Sequence, residues 1–188
     1  VELLVFGRRA ALSAIEHIEG LPAPNAAALK VGADGTAKRI GELFSRTDGT
    51  ESMSALRREM MDTMEKNVGI YRTEEGLQEG VAKIHELRQR YQRVILTDKS
   101  SVFNTDLFQV LELGSMLDCA EAVTVGALAR KESRGAHQRL DYVERDDRNF
   151  LCHTMVHHQG LDVPRVDYLD VVITKSPPGV RDYSGDHK

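Results

Sequence analysis

The stretch TEEGLQEGVAKIHELRQRY, residues 73–91, decides the fold class of this 188-residue chain. Thr73 is a good helix N-cap, and the two glutamates that follow it lie where the helix dipole favours negative charge. Apolar residues recur every three or four positions, which is the spacing of one helix face. They are Leu77, Val81, Ile84, Leu87 and Tyr91. The stretch therefore predicts an amphipathic helix over 73–92 that buries one face in a core.

Two further helices are expected to pack beside this one. Residues 52–66 carry leucine and methionine at helical spacings, with either Ser52 or Ser54 as the N-cap. Residues 104–132 begin at Asn104, another good N-cap, and the pair Gly114–Ser115 is expected to bend or break that helix. Short links make neighbouring helices antiparallel, so the sequence predicts a three-helix antiparallel bundle. Its predicted core consists of Leu56, Met60, Leu77, Val81, Ile84, Leu87, Leu107, Leu111, Val123 and Leu128.

The pattern changes outside the bundle, and four regions are expected along the chain. They are a terminal helix (1–20), a connector with a short helix around 36–46 (21–50), the bundle (51–133), and an extended segment with a β-hairpin tail (134–188). The hairpin is expected because residues alternate between faces from Asn149 onward and a β-rich run, VDYLDVVIT, follows a turn-like stretch. The predicted fold class is mainly α, with a small C-terminal β-hairpin.

The first helix has an unusual start. The chain opens VELLVFGRRA, residues 1–10, without an initiator methionine or a capping side chain, and Leu3 to Phe6 are apolar all round the first turn. A helix that is apolar on every side is normally buried. We therefore expect a neighbouring domain to cover residues 1–7, and this chain to be a domain fragment of a larger protein.

Composition limits the classes of function. Lys and Arg total 25 against 29 Asp and Glu, and the net charge of −4 with histidine neutral argues against a nucleic-acid-binding module. No apolar run reaches the length of a membrane span, so no direct membrane insertion is expected, and no secretory signal pattern is present. The two cysteines, Cys119 and Cys152, lack metal-ligand spacing.

The densest polar stretch is ARKESRGAHQRLDYVERDDRNFLCHT, residues 129–154. Within it, Arg134, His137, Arg139 and Asp141 fall in an extended segment that helical periodicity does not dictate. Two interpretations are open: a solvated charged loop, or a clasp that docks onto another surface through arginine–carboxylate pairs. Neither a nucleophile at a recognisable spacing from the histidine nor a glycine-rich phosphate loop occurs in the chain. From the residues alone both interpretations of these four side chains stay open, and no catalytic or cofactor-binding residue is expected.

The other histidines favour no metal site. His153 and His157 would share a strand face roughly 13 Å apart, at about 3.3 Å per residue, which is too far for one metal ion to bind both. His187, in the polar tail, is expected to be solvated.

The same polar stretch resembles the C-terminal region of the flavoprotein subunit of succinate dehydrogenases and fumarate reductases. Its S-R-G-A-H element, the following R-x-D and the later R-D-D-x-N-F occur in the family's order. Three more motifs follow the family's pattern: GIYRTEEGL at 69–77, FNTDL at 103–107 and LELGSMLDCAE at 111–121. The opening VELLVFGRRA is similar to the last helix of the family's flavin-binding domain.

The resemblance implies a redox enzyme whose working parts lie outside this chain. In the family, an N-terminal domain binds FAD, and the dicarboxylate substrate lies between that domain and a capping domain. Electrons are exchanged with an iron–sulfur subunit and, through a membrane anchor, with quinone. The implied location is the cytoplasm, on the inner face of the cytoplasmic membrane through partner subunits. None of the family's catalytic or flavin-binding positions is carried over to this sequence.

Two hypotheses of different class follow. One is that this chain is part of an FAD-dependent enzyme that interconverts succinate and fumarate, in either direction. The other is that it is purely a structural or docking helical domain, as in a related flavoprotein such as an L-aspartate oxidase. In both, the resemblance implies that Arg134, His137, Arg139 and Asp141 anchor the helical domain to the flavin-binding domain of the same polypeptide.

Overall fold

The first 45 residues form two helices in a computed structural model that describes residues 1–179. Helix α1 spans Glu2–Glu19 and helix α2 spans Ala26–Ser45. The predicted terminal helix is confirmed, and it begins without a side-chain cap. The predicted short helix around 36–46 is wrong in length, because Asn25 accepts hydrogen bonds from two backbone amides and starts the helix ten residues earlier. The predicted solvation of His187 lies outside the described residues.

Residues from Arg46 onward form a second compact unit, which contains the predicted bundle. Helix α3 spans Met53–Val68, α4 spans Glu74–Tyr91 and α5 spans Thr105–Ala129. Each predicted N-cap accepts a hydrogen bond from an amide in the first turn: Ser52 at 3.5 Å, Thr73 at 3.2 Å and Asn104 at 2.7 Å. The predicted mainly α fold is confirmed.

The buried face of α5 differs from the predicted one. Val123 is 48% exposed, and Leu107, Leu111 and Leu128 are only partly buried. The fully buried positions of α5 begin instead with Val110, Leu113 and Leu117. Apolar and small residues occur on every side of this helix, so hydrophobic periodicity could not select the inward face. On the other two helices the predicted core residues Leu56, Met60, Leu77, Ile84 and Leu87 are buried, whereas Val81 is partly exposed.

This register leads to a mutational prediction. Ile84→Ala removes a fully buried side chain and should lower the free energy of unfolding by about 2–5 kcal/mol, the usual cost of such a cavity. Leu111→Ala should cost clearly less, because that side chain already contacts solvent. Urea unfolding of the two variants measures both values. Equal losses would show that the observed register of α5 is wrong.

Helix α5 continues through Gly114, which was expected to bend or break it. The hydroxyl of Tyr91 on α4 donates a hydrogen bond to the Val110 carbonyl at 2.9 Å, and a Cβ atom at position 114 would lie 2.8 Å from that hydroxyl. The glycine therefore makes room for a tyrosine from the neighbouring helix. It is a packing residue and not a break.

Short strands complete this unit. Strand β1 (Tyr71–Arg72) pairs in parallel with β2 (Gln138–Arg139), and a short helix, α6, follows at Asp147–Phe150. Strands β3 (Cys152–His157) and β4 (Arg165–Asp170) form the predicted antiparallel hairpin. Tyr168 donates a hydrogen bond to the Ala129 carbonyl at the end of α5, at 3.4 Å, so the hairpin lies against the bundle.

Within residues 1–179, none of the helices combines the length and the apolar character needed to cross a bilayer.

Candidate functional site

A network of charged side chains covers the end of the bundle where α3 ends, α4 begins and α5 ends. The parallel pairing of β1 with β2 brings residues 138–139 alongside the link between α3 and α4. We call this network the arginine–carboxylate cluster. Its members are Arg72, Glu74, Arg130, Glu132, Arg134, His137, Arg139, Asp141 and Asp147.

Arg139 lies at the centre of the cluster with no exposed surface. Its guanidinium donates two hydrogen bonds to the Asp141 carboxylate, at 2.8 and 2.9 Å, and a third to Glu74 at 2.7 Å. It also donates to backbone carbonyls at the end of α5, including that of Ala127 at 3.3 Å. One buried cation therefore caps the C-terminus of α5 and binds the first turn of α4.

Glu132 is the buried anion of the cluster, also with no exposed surface. Arg130 and Arg134 each donate to it at 2.8 Å, and the amide of Asp146 donates at the same distance. Burial raises the pKa of Glu132, but the hydrogen bonds from Arg134, Asp146 and Arg130 outweigh that effect and leave the pKa below its usual value. The carboxylate is therefore ionised and fully hydrogen-bonded.

Arg130 links the cluster to the β-hairpin. Its guanidinium donates to the Cys152 carbonyl at 3.0 Å and to the Thr154 hydroxyl at 2.9 Å, and it also bonds the Phe150 carbonyl. It lies over the Phe150 ring at 5.7 Å as well, a distance at which a cation is attracted to an aromatic face. This residue fixes the start of β3 to the end of α5.

His137 uses both of its ring nitrogens. Arg72 can only donate, so its contact of 2.8 Å makes Nδ1 an acceptor, and Nε2 then donates to the Arg130 carbonyl at 2.9 Å. Burial lowers the pKa of His137, and the charges of Arg72, Arg139 and Arg130 lower it further. The imidazole is therefore neutral, and it cannot act as a base without breaking the contact with Arg72.

Asp141 also caps a helix. Its Oδ2 accepts a hydrogen bond from the backbone amide of Glu74 at 2.6 Å, in the first turn of α4. The hydrogen bonds from Arg139 lower the pKa of Asp141 to about 2, against an opposing effect of burial. The extended segment therefore satisfies backbone groups at two helix ends of its own bundle, the end of α5 and the start of α4.

These pKa shifts predict acid sensitivity. A carboxylate whose pKa is lowered on folding stabilises the chain above its unfolded pKa, about 3.9 for Asp. That stability is lost as the pH falls towards about 2 for Asp141. His137, whose pKa is also lowered, weakens the fold as the pH falls below about 6.5. Thermal unfolding between pH 7 and 3 should show a falling Tm, and Asp141→Asn should flatten the acid part of that curve. If the Tm of the variant fell with pH as steeply as that of the parent chain, the lowered pKa assigned to Asp141 would be contradicted.

The structure brings together all four predicted interface residues and gives each a partner inside the chain. The docking interpretation also predicts that Arg134 stays solvated in this chain, where the surface it would dock onto is absent. Instead, Arg134 donates to Glu132 at 2.8 Å and to Asp147 at 2.6 Å, so that prediction is wrong. The interpretation of the segment as a solvated loop fails for Arg139, which is fully buried. The docking role of the four residues stays a prediction.

Sequence reasoning missed five members of the cluster, namely Arg72, Glu74, Arg130, Glu132 and Asp147. A sequence signal for two of them, Arg130 and Glu132, was present. Arg130, Glu132 and Arg134 alternate at every second position, which places their side chains on the same side of an extended chain. The partner of Arg139 on α4 lies 65 residues away, a pairing that local spacing does not show.

The two histidines considered as metal ligands, His153 and His157, belong to no cluster of metal-binding side chains in the described part of the chain. His153 is exposed and His157 is partly buried on β3. Across residues 1–179, no group of three His, Cys, Asp or Glu side chains is placed to hold a metal ion. Cys119 and Cys152 are both free thiols.

The fold and the cluster define a class: a three-helix domain whose end is closed by an S-R-G-A-H segment, with a hairpin laid against it. Residues 57–183, more than half of the chain, match the family described as fumarate reductase flavoprotein C-term. The chain belongs to this family.

The relatives agree with this assignment. The chain is 48% identical to the fumarate reductase flavoprotein subunit of Serratia over 188 residues, and 37% identical to the succinate dehydrogenase flavoprotein subunit of Rickettsia bellii over 176 residues. These alignments cover 98% and 93% of this chain, but only 31% and 29% of the relatives. A structure of Escherichia coli quinol fumarate reductase superposes with a TM-score of 0.89 at 46% identity, covering 95% of this chain and 31% of that one. The chain therefore spans less than a third of the length of these relatives.

Proposed function

We propose that this chain is the helical C-terminal part of an FAD-dependent flavoprotein subunit that interconverts succinate and fumarate. The observation that carries the proposal is the match over nearly the whole chain to fumarate reductase flavoprotein subunits, at 48% identity and with the same fold. A flavin held by the rest of the subunit would supply the redox chemistry for this interconversion. Electrons are exchanged with an iron–sulfur subunit and, through a membrane anchor, with quinone.

The residues of this chain do not fit FAD. A dinucleotide-binding unit needs a strand, a glycine-rich turn and a helix N-terminus within a parallel sheet. Both sheets among residues 1–179 have two strands, and the parallel one is only two residues long. We therefore derive no step through the flavin from this chain, and assign flavin binding and catalysis to the rest of the subunit.

The role proposed for the chain itself is structural. In the arginine–carboxylate cluster, both nitrogens of His137 are occupied, and Arg139 is fully buried among its partners. Such groups hold helix ends together and are poorly placed to bind a substrate. Docking by Arg134, His137, Arg139 and Asp141 onto the flavin-binding domain remains part of the proposal. Arg134, His137 and Asp141 would contact that domain through their exposed edges, and the fully buried Arg139 would act through Asp141, to which it donates.

Helix α1 supports attachment to a further domain. All of its residues are exposed, including Leu3 at 89%, Leu4 at 79% and Ile18 at 64%. Burying apolar surface lowers the free energy by about 25 cal/mol per Å², so an exposed apolar helix is stabilised when another surface covers it. We propose that the flavin-binding domain covers this helix, and that partner subunits hold the complete protein at the inner face of the cytoplasmic membrane.

The test compares the complete subunit with residues 1–188 alone. The complete subunit should show a flavin absorbance spectrum, oxidise succinate with a dye acceptor and reduce fumarate with a reduced dye. The isolated chain should be colourless and inactive. A complete subunit without dicarboxylate turnover would overturn the proposed function. A yellow isolated chain would overturn the structural role.

A further inference from the structure

Four sulfur-bearing side chains line one groove between α3 and α5. They are Met60, Met64, Met116 and Cys119, and the groove has a volume of about 400 Å³. They make up three of the chain's six methionines and one of its two cysteines. Among the described residues that line the groove, none carries a carboxylate or an imidazole. Sulfur is therefore the chemistry that this groove offers to a ligand.

The spacing of these residues along the two helices places both pairs at the same groove. Met60 and Met64 are four positions apart on α3, and Met116 and Cys119 are three positions apart on α5. Both spacings put side chains on one helix face. Helix α3 packs against α5, and the small side chain of Ala120 leaves room between them. Sulfur-bearing side chains from both helices therefore border one space.

The Met64 sulfur is directed towards α5. It lies 3.5 Å from the hydroxyl of Thr124, a buried residue one turn after Ala120, and that hydroxyl also donates to the Ala120 carbonyl at 2.6 Å. The hydroxyl of Ser115, which lines the groove, donates to the Leu111 carbonyl at 3.5 Å. A thioether sulfur has two lone pairs, so at least one on Met64 stays available to a metal ion.

The groove is accessible from the side of α5. Cys119 is an exposed free thiol, and Met64 and Met116 are partly buried, whereas Met60 is only 4% exposed. An ion can therefore enter beside the thiol and reach thioethers that are largely shielded from water.

These ligands select a soft, monovalent cation. Thiolate and thioether sulfurs suit Cu(I), whereas Zn²⁺ takes its ligands from cysteine, histidine and carboxylates. Metal binding requires the deprotonated thiol, so a Cys119 thiolate and a monovalent cation together carry no net charge. A divalent cation would leave one positive charge in apolar surroundings, which is costly.

We propose that Met60, Met64, Met116 and Cys119 form a binding site for Cu(I) or the similar ion Ag(I). On binding, a bond forms between the metal and the Cys119 sulfur while the thiol proton passes to solvent, and the thioethers donate lone pairs. The oxidation state of the metal does not change. This inference goes beyond the proposed function, and its test needs neither flavin nor dicarboxylate.

The test is an anaerobic titration of the full chain with Cu(I), in competition with the coloured chelator bicinchoninate. The chain should withdraw one Cu(I) from the chelator. Cys119→Ser and the volume-conserving Met116→Leu should each weaken binding by more than about tenfold, because even changes beside a metal ligand cost that much. The matched controls are Cys152→Ser and Met155→Leu, on β3 and outside the groove, and both should bind Cu(I) like the parent chain.

A second measurement detects the thioethers directly in the parent chain. With ¹³C-labelled methionine methyl groups, Ag(I) should shift the NMR signals of Met60, Met64 and Met116 and leave those of the other three methionines in place. This result does not depend on whether a variant folds.

Four outcomes would overturn the site. They are absence of Cu(I) uptake, equal uptake of Zn²⁺, equal weakening by the control variants, and methionine signals that Ag(I) does not move. Binding that is lost in Cys119→Ser but kept in Met116→Leu would also contradict the proposal, because it would show a thiol acting alone.

Discussion

Replacing Arg139 by alanine is expected to lower the free energy of unfolding of this chain by about 3–5 kcal/mol, the usual cost of breaking a buried ion pair from one side. The guanidinium is fully buried and donates to Asp141, Glu74 and carbonyls at the end of α5. Without the guanidinium, the carboxylates of Asp141 and Glu74 are left without a cation between them, and the carbonyls at the end of α5 lose their donor. Urea unfolding followed by circular dichroism measures the loss.

The control for this substitution is Arg165→Ala. Arg165 donates to Asp167 at 2.8 Å on the hairpin, but both side chains are more than half exposed. An exposed pair contributes about 0–1 kcal/mol, so the control should unfold almost like the parent chain. If Arg139→Ala also stayed within about 1 kcal/mol of the parent, the cluster would not hold this chain together. A docking role for its residues would then be the better account.

The second large effect is expected from Arg88→Ala, again about 3–5 kcal/mol. Arg88 lies between α4 and α5, 5% exposed, and donates to Glu121 at 2.6 Å and to Asp118 at 3.0 Å. It also donates to the Gly160 carbonyl in the turn between β3 and β4, at 2.6 Å. The substitution strands the buried Glu121 carboxylate and releases the turn.

Two further variants sharpen this test. Arg93→Ala removes an arginine that is 56% exposed close to the same helix end, and it should cost no more than about 1 kcal/mol. The double variant Arg88→Met with Glu121→Leu removes both charges of the buried pair, and it should be more stable than Arg88→Ala. A double variant less stable than the single one would show that the loss comes from packing and not from an unpaired charge.

The helices could be predicted from the sequence because their signals are local. Thr73 and Asn104 cap helices within three residues of their own positions, and Leu77, Ile84 and Leu87 recur at the helical period. The hairpin was predicted for the same reason, since its alternating pattern lies within each strand. The register of α5 could not be predicted, because a helix that is apolar on most faces has no unique inward side.

The position of the cluster could be predicted from the sequence, but the partners of its residues could not. The charged stretch and its extended backbone were evident, and all four predicted residues do lie in it. Their partners were not evident, because Arg139 pairs with Glu74, 65 residues away in the sequence. The pair of Arg88 with Glu121, 33 residues apart, was hidden for the same reason. A single sequence does not distinguish a charged residue that pairs across a docking surface from one that pairs with a distant residue of its own chain. Full burial of Arg139 distinguishes the two in the structure.

The contact between Arg88 and the Gly160 carbonyl has a consequence for biosynthesis. The two residues lie 72 positions apart, so during translation the α3–α4 pair emerges from the ribosome long before the hairpin turn that binds it. Until then Arg88 lacks one of its acceptors, and α4 lacks the Asp141 carboxylate that caps its first turn. The hydrogen bonds from Arg88 to the turn and from α4 to Asp141 therefore form only after all three helices of the bundle have been synthesised. A nascent or truncated chain that stops before the hairpin lacks these contacts, and it is more accessible to the proteases and chaperones that recognise incompletely folded chains.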